Sequence, residues 1–260
     1  MSSLYQKDQP SSIRQMFSTI AERYDRGNQV LSFGLHNSWN HRLVKIVCQQ
    51  VSPSVLLDLC SGTGDIALAM AKSSETIKEA FLLDFCPEML SFARDKTDNA
   101  GLSTRFRFIT ADATDIPIPE RSIDAITIAY GVRNIDNRKK CFEESFRTLR
   151  PGGVLGILEL TKPKQALLAK GHSFYLKTVM PFLGKLVAKN RDAYEYLCQS
   201  VHNFVDPELI EQELLQAGFL HPKIHRLHGG IATVITARKD GDNSQEWDHR
   251  APLPSLPNEW

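Results

Sequence analysis

Little in this chain is out of balance. Its 260 residues carry 31 Lys and Arg against 30 Asp and Glu, a net charge of +1. That leaves no electrostatic footprint for nucleic acid, which is not an expected partner. Cysteine is sparse: Cys48, Cys60, Cys86, Cys141 and Cys198 show no C-x-x-C spacing. An odd, scattered set argues against a disulfide framework and fits a reducing compartment. The histidines contain no H-E-x-x-H pair, so no metal is expected, and His221, His225 and His228 read as a surface cluster near the last strands. No apolar run reaches the ~18 residues of a membrane span. Met1 to Ser12 is polar and unlike a signal peptide, so a cytoplasmic protein is expected. What is left is 42% apolar content, enough for one α/β domain with a full core and an inserted cap.

Within it the most informative stretch is LDLCSGTGD, Leu57 to Asp65. The apolar run Val55 to Leu59 predicts a buried strand, Gly62 and Gly64 a turn, and Ile66 to Ala71 a helix. Strand, glycine turn and helix open a doubly wound sheet, whose crevice takes a nucleotide-like cofactor. Glycine lets the backbone come close to a ligand where a Cβ would clash. The string GTGDIA also fits the dinucleotide fingerprint, with Asp84 about 20 residues on at the next strand end. The acids argue against NAD. Asp58 and Asp65 flank the turn where a pyrophosphate would rest, and they would repel it. A ribose, an amino acid end and a cationic sulfonium suit such a site better, which describes S-adenosylmethionine (SAM).

Later strands supply more of the site. FLLD ends the second strand in Asp84, able to accept from both ribose hydroxyls. RFRFIT, Arg105 to Thr110, predicts a third strand, with Asp112 and Ala113 just past it where the adenine amine is met. SIDAITIAYG, Ser122 to Gly131, reads as a fourth buried strand that carries Ala129 to the crevice. The LRPGG turn, Leu149 to Gly153, introduces a fifth over Val154 to Leu160. Asp58, Gly62, Thr63, Gly64, Asp84, Asp112, Ala113 and Ala129 are thus the expected cofactor contacts.

This order of strings resembles the class I SAM-dependent methyltransferases. MFSTIAERYD (Met16 to Asp25), LSFGLHNSW (Leu31 to Trp39), ITIAYGVRN (Ile126 to Asn134), LELTKP (Leu158 to Pro163), AYEYLCQSV (Ala193 to Val201) and GGIA (Gly229 to Ala232) resemble the UbiE/MenG family in particular. The resemblance runs from Met16 to Lys239. It departs at Cys60-Ser61, where family members commonly carry small residues such as Ala-Gly. It implies C-methylation of demethylmenaquinol, in some bacteria also of a ubiquinone precursor. A doubly wound Rossmann-like sheet, an N-terminal helical lid and a helical cap after strand five are expected with it.

The first helix is predicted over Ser12 to Tyr24, from apolar residues at helical spacing, with Gly27 as its stop. A second is predicted over Trp39 to Val51. Further helices start at Pro87 and Lys139, and one more, Glu208 to Ala217, has Asp206 as N-cap and Gly218 as its close. Residues 1–239 read as one domain with a cap over about 163–205, and the polar, proline-rich tail 240–260 as disordered. The insertion is rich in aromatics and aliphatics, from His172 and Phe174 to Leu186 and Val187, and with the resemblance it becomes the groove for a prenyl tail. Interleaved Lys170, Lys177, Lys185 and Lys189 suit peripheral contact with anionic lipid at the inner membrane face. Other quinone-biosynthesis enzymes are expected as neighbours.

Methyl transfer needs collinear positioning, which can contribute ~7–11 kcal/mol. A phenol with pKa near 10 sits ~4 kcal/mol from ionisation at pH 7. Arg133 and Asn134, just past strand four, are the expected catalytic pair: Arg133 to hold a phenolate, Asn134 to orient a ring oxygen. His172, Tyr194 and Tyr196 are candidates for a base that the residues do not single out. A benzoquinol or dual-substrate methyltransferase, an NAD-dependent oxidoreductase and a SAM-binding scaffold without turnover remain as alternatives.

Overall fold

The computed structural model describes residues 10–180 and 191–241. The tail from 242 on and the insertion's 181–190, with Pro181, Phe182, Leu183, Gly184, Lys185, Leu186, Val187 and Lys189, lie outside the described residues, as does the side chain of Tyr194. Seven strands form one sheet: β1 Val55–Leu59, β2 Glu79–Asp84, β3 Phe106–Thr110, β4 Ile123–Ala129, β5 Leu149–Leu160, β6 Leu220–Leu227 and β7 Ala232–Arg238. Their order is β3-β2-β1-β4-β5-β7-β6, all parallel except β7, which runs antiparallel between β5 and β6. The sheet is the expected doubly wound one. Its order reverses between β1 and β4, which opens a crevice at the strands' carboxyl ends.

Every residue of β1 is buried because both faces of the sheet are covered. Alternation sends Leu57 and Leu59 to one core, with Phe142 and Phe219, and Leu56 to the other, with Leu43, Val47 and Met70. The first core lies under α6 (Arg138–Thr148) and the helix Pro207–Gln216; the second lies under α3 (Leu35–Cys48), α4 (Asp65–Ser73) and α5 (Pro87–Asn99). Gly156 on β5 is required for that layer. A Cβ there would sit 2.5 Å from Val47 Cγ2 and 3.0 Å from Leu43 Cδ1, so a side chain would push α3 off the sheet.

The N-terminal cover is two helices, α1 (Pro10–Ile20) and α2 (Tyr24–Leu31), joined by one turn of 3₁₀ helix. Gly27 does not stop it. That residue is buried inside α2, and the chain turns instead at Phe33 and Gly34, with φ of 51° and 76°. The turn starts α3 at Leu35, one helical turn before the expected Trp39. Strand five also begins earlier than predicted: Leu149 already pairs with Ile123, and the register then shifts across Pro151-Gly152, where Gly152 has φ of 78°. The insertion supplies α7 (Ala166–Phe174), continued by a π turn over Tyr175–Val179, and α8 (Arg191–Asn203). The helix Pro207–Gln216 becomes α9. Asp206 is its N-cap by position, with extended backbone, and Gly218 follows it at a φ of 98°. The described chain ends just past β7, where Lys239 Nζ donates to the carbonyls of Phe146 (2.6 Å) and Leu149 (2.7 Å).

Candidate active site

A crevice of about 280 Å³ opens where β1, β2 and β4 end. Gly62, Asp84, Asp112, Ala113, Ala129 and Asn134 line it, and Ile13, Phe17 and Tyr24 of the N-terminal helices close it from above. Asp84 is held rigidly: Oδ2 accepts from Gly62 N (2.8 Å) and Oδ1 from Cys86 N (2.9 Å). Burial pushes its pKa up to about 6, opposed by those backbone donors. Asp112 is exposed, and its Oδ1 accepts from Thr114 N and Oγ1, both at 2.7 Å.

Beside the crevice lies a small cleft of about 40 Å³, bordered by Tyr24, His36, Asp58, Ser61, Asp65 and Tyr130 among others. Asp58 belongs here rather than to the larger crevice. It is buried on β1, its Oδ1 accepts from Thr127 Oγ1 at 2.6 Å, and burial raises its pKa to about 7. Its Oδ2 and the Ser61 hydroxyl oxygen are buried with no partner among the described residues. An orphaned carboxylate oxygen and an orphaned hydroxyl fit the ammonium of an amino acid end, which would satisfy both.

Thr63 also borders this cleft, but its hydroxyl donates to Asp25 Oδ1 (2.6 Å) and accepts from Lys96 Nζ (2.9 Å). Lys96 further pairs with Asp25 at 2.5 Å and Asp65 at 2.6 Å. That cluster pins α2 of the cover to α4 and α5 of the body. Gly64 borders neither space. With φ of 79° it starts α4, and a Cβ there would meet Leu82 and Ala93 at about 3 Å.

A third space, about 580 Å³, is bounded mostly by apolar side chains of α2, α3, α7 and the turns that flank them, including Leu31, Phe33, Trp39, Leu168, Tyr175 and Leu176. Arg133 and His172 reach it as well. Arg133 is not the free rim cation that its position in sequence suggests. Only 6% of its side chain is exposed, and its Nη1 donates to Glu159 Oε1 and to the Tyr130 carbonyl, both at 2.6 Å. Burial works against its charge, but the Glu159 carboxylate together with the Tyr24 and Tyr196 phenols outweighs that and holds the pKa above its ordinary value. Glu159 was not anticipated; a single acid in the apolar run of β5 is its only signal. Asn134 Oδ1 accepts from the Tyr196 hydroxyl at 3.0 Å, which ties α8 of the cap to the crevice.

Tyr24 and Tyr130 border all three spaces, and sequence reasoning passed over both. Tyr130 has φ of 58°, a conformation a bulky residue takes only where its surroundings enforce it. Its hydroxyl donates to Asn40 Oδ1 at 3.0 Å. Burial raises the pKa of both phenols, with Arg133 opposing the rise. The histidines expected as a surface cluster are partly engaged: His228 Nδ1 accepts from Trp39 Nε1 at 2.8 Å.

Residues 5–239 match the family described as the ubiE/COQ5 methyltransferase family. The chain is 44% identical over 238 residues to the demethylmenaquinone methyltransferase of Protochlamydia amoebophila, covering 91% of this chain and 98% of that one. It is 33% identical over 233 residues to the ubiquinone/menaquinone biosynthesis C-methyltransferase UbiE of Saccharophagus degradans, with 90% and 93% covered. A SAM-dependent methyltransferase of Thermotoga maritima shares the fold, with a TM-score of 0.60 at 17% identity over 87% of this chain and 99% of that one.

Proposed function

This chain belongs to the ubiE/COQ5 methyltransferase family, and from that premise we propose how its three spaces divide the work. The protein is a SAM-dependent C-methyltransferase of quinone biosynthesis. SAM supplies an electrophilic methyl group. Asp84 would hold the ribose hydroxyls, Asp112 and Ala113 the adenine, and Asp58 with Ser61 the amino acid end, while Gly62 and Ala129 shape the floor. Thr63 and Gly64 act indirectly in this reading, Thr63 by holding the cover and Gly64 by letting α4 start where it does.

The acceptor we propose is demethylmenaquinol. The observation that carries this is the 580 Å³ apolar space beside the cofactor crevice, shared with it through Tyr24 and Tyr130. A fused aromatic ring and the start of a prenyl chain suit such a volume, which binds by removing apolar surface from water. Arg133 is among the residues that line it. Already paired with Glu159, it acts as a fixed dipole that favours negative charge on a ring oxygen, and Asn134 orients the ring from the crevice side.

Phe33 and Leu167, 73% and 85% exposed, rim the same space. Peripheral contact with lipid through this rim would let a prenylated quinol enter without crossing water. Among the described residues no helix is long and apolar enough to cross a membrane. Vesicle co-sedimentation of Phe33→Ser/Leu167→Ser tests the contact; binding equal to wild type would remove it. The experiment for the function itself is product analysis with SAM and each demethyl quinol. Methylation of the naphthoquinol is expected, and methylation of the benzoquinol alone would overturn the choice of acceptor.

A further inference from the structure

One side chain borders both the cofactor's cleft and the acceptor's cavity and carries a base: His36. It occupies the first turn of α3 and is 7% exposed. Its Nδ1 lies 3.0 Å from Ser32 Oγ. The same Oγ lies 2.6 Å from the Asn28 carbonyl oxygen, and since that oxygen has no proton, the serine must donate its own. Ser32 Oγ can therefore only accept from the imidazole, as it also does from His36 N at 3.2 Å. The proton of the neutral ring is then fixed on Nδ1, and Nε2 keeps its lone pair. Among the described residues Nε2 has no hydrogen-bond partner.

We propose that His36 Nε2 is the proton acceptor for the ring hydroxyl of the quinol, an inference that rests on the quinol reading above. The hydroxyl proton passes to Nε2, and the electron pair it releases makes the adjacent ring carbon nucleophilic. As that pair folds into a C=O bond, the ring π pair it displaces forms the new carbon–methyl bond, while the sulfur keeps the pair of the bond that breaks. The ring carbon then sheds its hydrogen as a proton to water, aromaticity returns, and the oxygen recovers a proton from the imidazolium. The net products are methylated quinol, S-adenosylhomocysteine and one proton.

The surroundings keep the imidazole neutral, and its two rivals with raised pKa values, Asp58 at about 7 and Asp84 at about 6, are assigned to the cofactor in this reading. Burial lowers its pKa, Lys96 of α5 adds to this, and Asp65 of α4 and Asp25 of α2 oppose it. The helix N-terminus at α3 favours the neutral ring as well. Both carboxylates are engaged by Lys96, the phenols of Tyr24 and Tyr130 are raised, and Arg133 is paired with Glu159. His172 of α7 borders the acceptor's cavity but not the cofactor's cleft.

The test uses His36→Asn, whose amide can still donate to Ser32, and His36→Ala. With SAM and demethylmenaquinol saturating, wild-type kcat should rise with pH along an acidic limb set below the ordinary histidine range. In both variants kcat should fall by ~10²-fold or more, the limb should vanish, and SAM affinity by calorimetry should hold. Added imidazole should restore part of the rate to His36→Ala. Nitrogen-15 NMR of the wild-type protein alone should show Nδ1 protonated and Nε2 bare. Turnover within about threefold of wild type, a surviving acidic limb, loss of SAM binding in step with rate, or an Nε2-protonated ring each overturns the assignment. A wild-type protein that methylates no demethyl quinol overturns the quinol reading instead, while the NMR result still reports on His36.

Discussion

The strand ends and the helical cover meet at one site but are built differently. On the sheet side, recognition atoms are fixed by backbone: Asp84 receives two main-chain N–H groups, and Ala113 and Ala129 sit at or just past strand ends. On the cover side there is apolar volume, wrapped by α2, α3 and α7 and held by a few polar pins. Asp25 reaches Lys96, the Tyr175 hydroxyl donates to the Leu31 carbonyl at 2.5 Å, and Tyr196 reaches Asn134. The difference teaches that the cofactor's polar atoms need a scaffold that cannot shift, whereas an oily acceptor needs room and a way in. Side-chain pins rather than strand pairing hold the cover, and faster exchange there than in the sheet is the expected outcome.

Arg133 sits where the two halves join, so its removal should damage both. Arg133→Ala leaves Glu159 buried and uncompensated, which should cost ~3–5 kcal/mol in urea unfolding. Turnover should fall ~10²–10³-fold, the scale of losing one oxyanion donor. Arg133→Lys should recover little, because a point charge does not reproduce the planar fork. Full stability in Arg133→Ala would show that the buried pair adds nothing net to the fold.

On the sheet side, Asp58 gives a pH signature opposite in sign to that of the cover's His36, whose pKa burial lowers. Its folded pKa of about 7 lies above the ~3.9 of an unfolded aspartate. Between those values the folded chain holds a proton that the unfolded chain has lost. Stability from this group is therefore fully present below ~4, falls as pH rises toward 7, and stays level above, by on the order of 4 kcal/mol at most. Asp58→Asn should flatten the unfolding profile over that window; an unchanged slope would move the strain elsewhere.

Asp84→Ala removes charge-assisted contacts of ~1.5–3 kcal/mol and should weaken SAM ~10-fold or more by calorimetry. Unchanged affinity would take the ribose away from β2. The smallest effect belongs to the pin. Lys96 and its partners are partly exposed, 27% for the lysine side chain, so Lys96→Met should cost only ~1 kcal/mol of global stability. Hydrogen exchange in α1 and α2 should nonetheless quicken while β1 and β4 stay protected. Equal protection in both would mean that the cover is as firmly held as the sheet.

Sequence reached the sheet side far more fully than the cover. Val55–Leu59 is the predicted β1 to the residue, because a strand covered on both faces is mostly apolar, here in all but Asp58. Asp84, Asp112, Ala113 and Ala129 come together because strand ends in this fold converge. Gly27 misled because a buried helical glycine and a terminal one look alike in sequence; packing against neighbours, not propensity, decides between them. Glu159, Tyr24, Tyr130 and His36 were missed for a related reason. Their roles depend on which element lies opposite, and a tautomer set by Ser32 and Asn28 is a property of three oxygens and nitrogens in space. Asp58 on β1 and Thr63 in the glycine turn both border the small cleft rather than the larger crevice, and which space a side chain faces is a matter of register that sequence does not show.

The placement of β7 bears on how the chain is made. The last strand of the described residues lies between β5 and β6, and about seventy residues separate the end of β5 from its start, several seconds of synthesis at ~5–20 residues per second. Throughout that interval the nascent chain exposes the edge of β5, Val154 to Leu160, with its hydrogen-bonding groups unmatched and its side chains apolar. The half of the sheet that carries the crevice can form on the ribosome, but its open border waits for Ala232–Arg238 to arrive and seal it. A nascent chain stalled before Ala232 should accordingly hold chaperones and sediment as aggregate when released, and one stalled well past Arg238 should do neither.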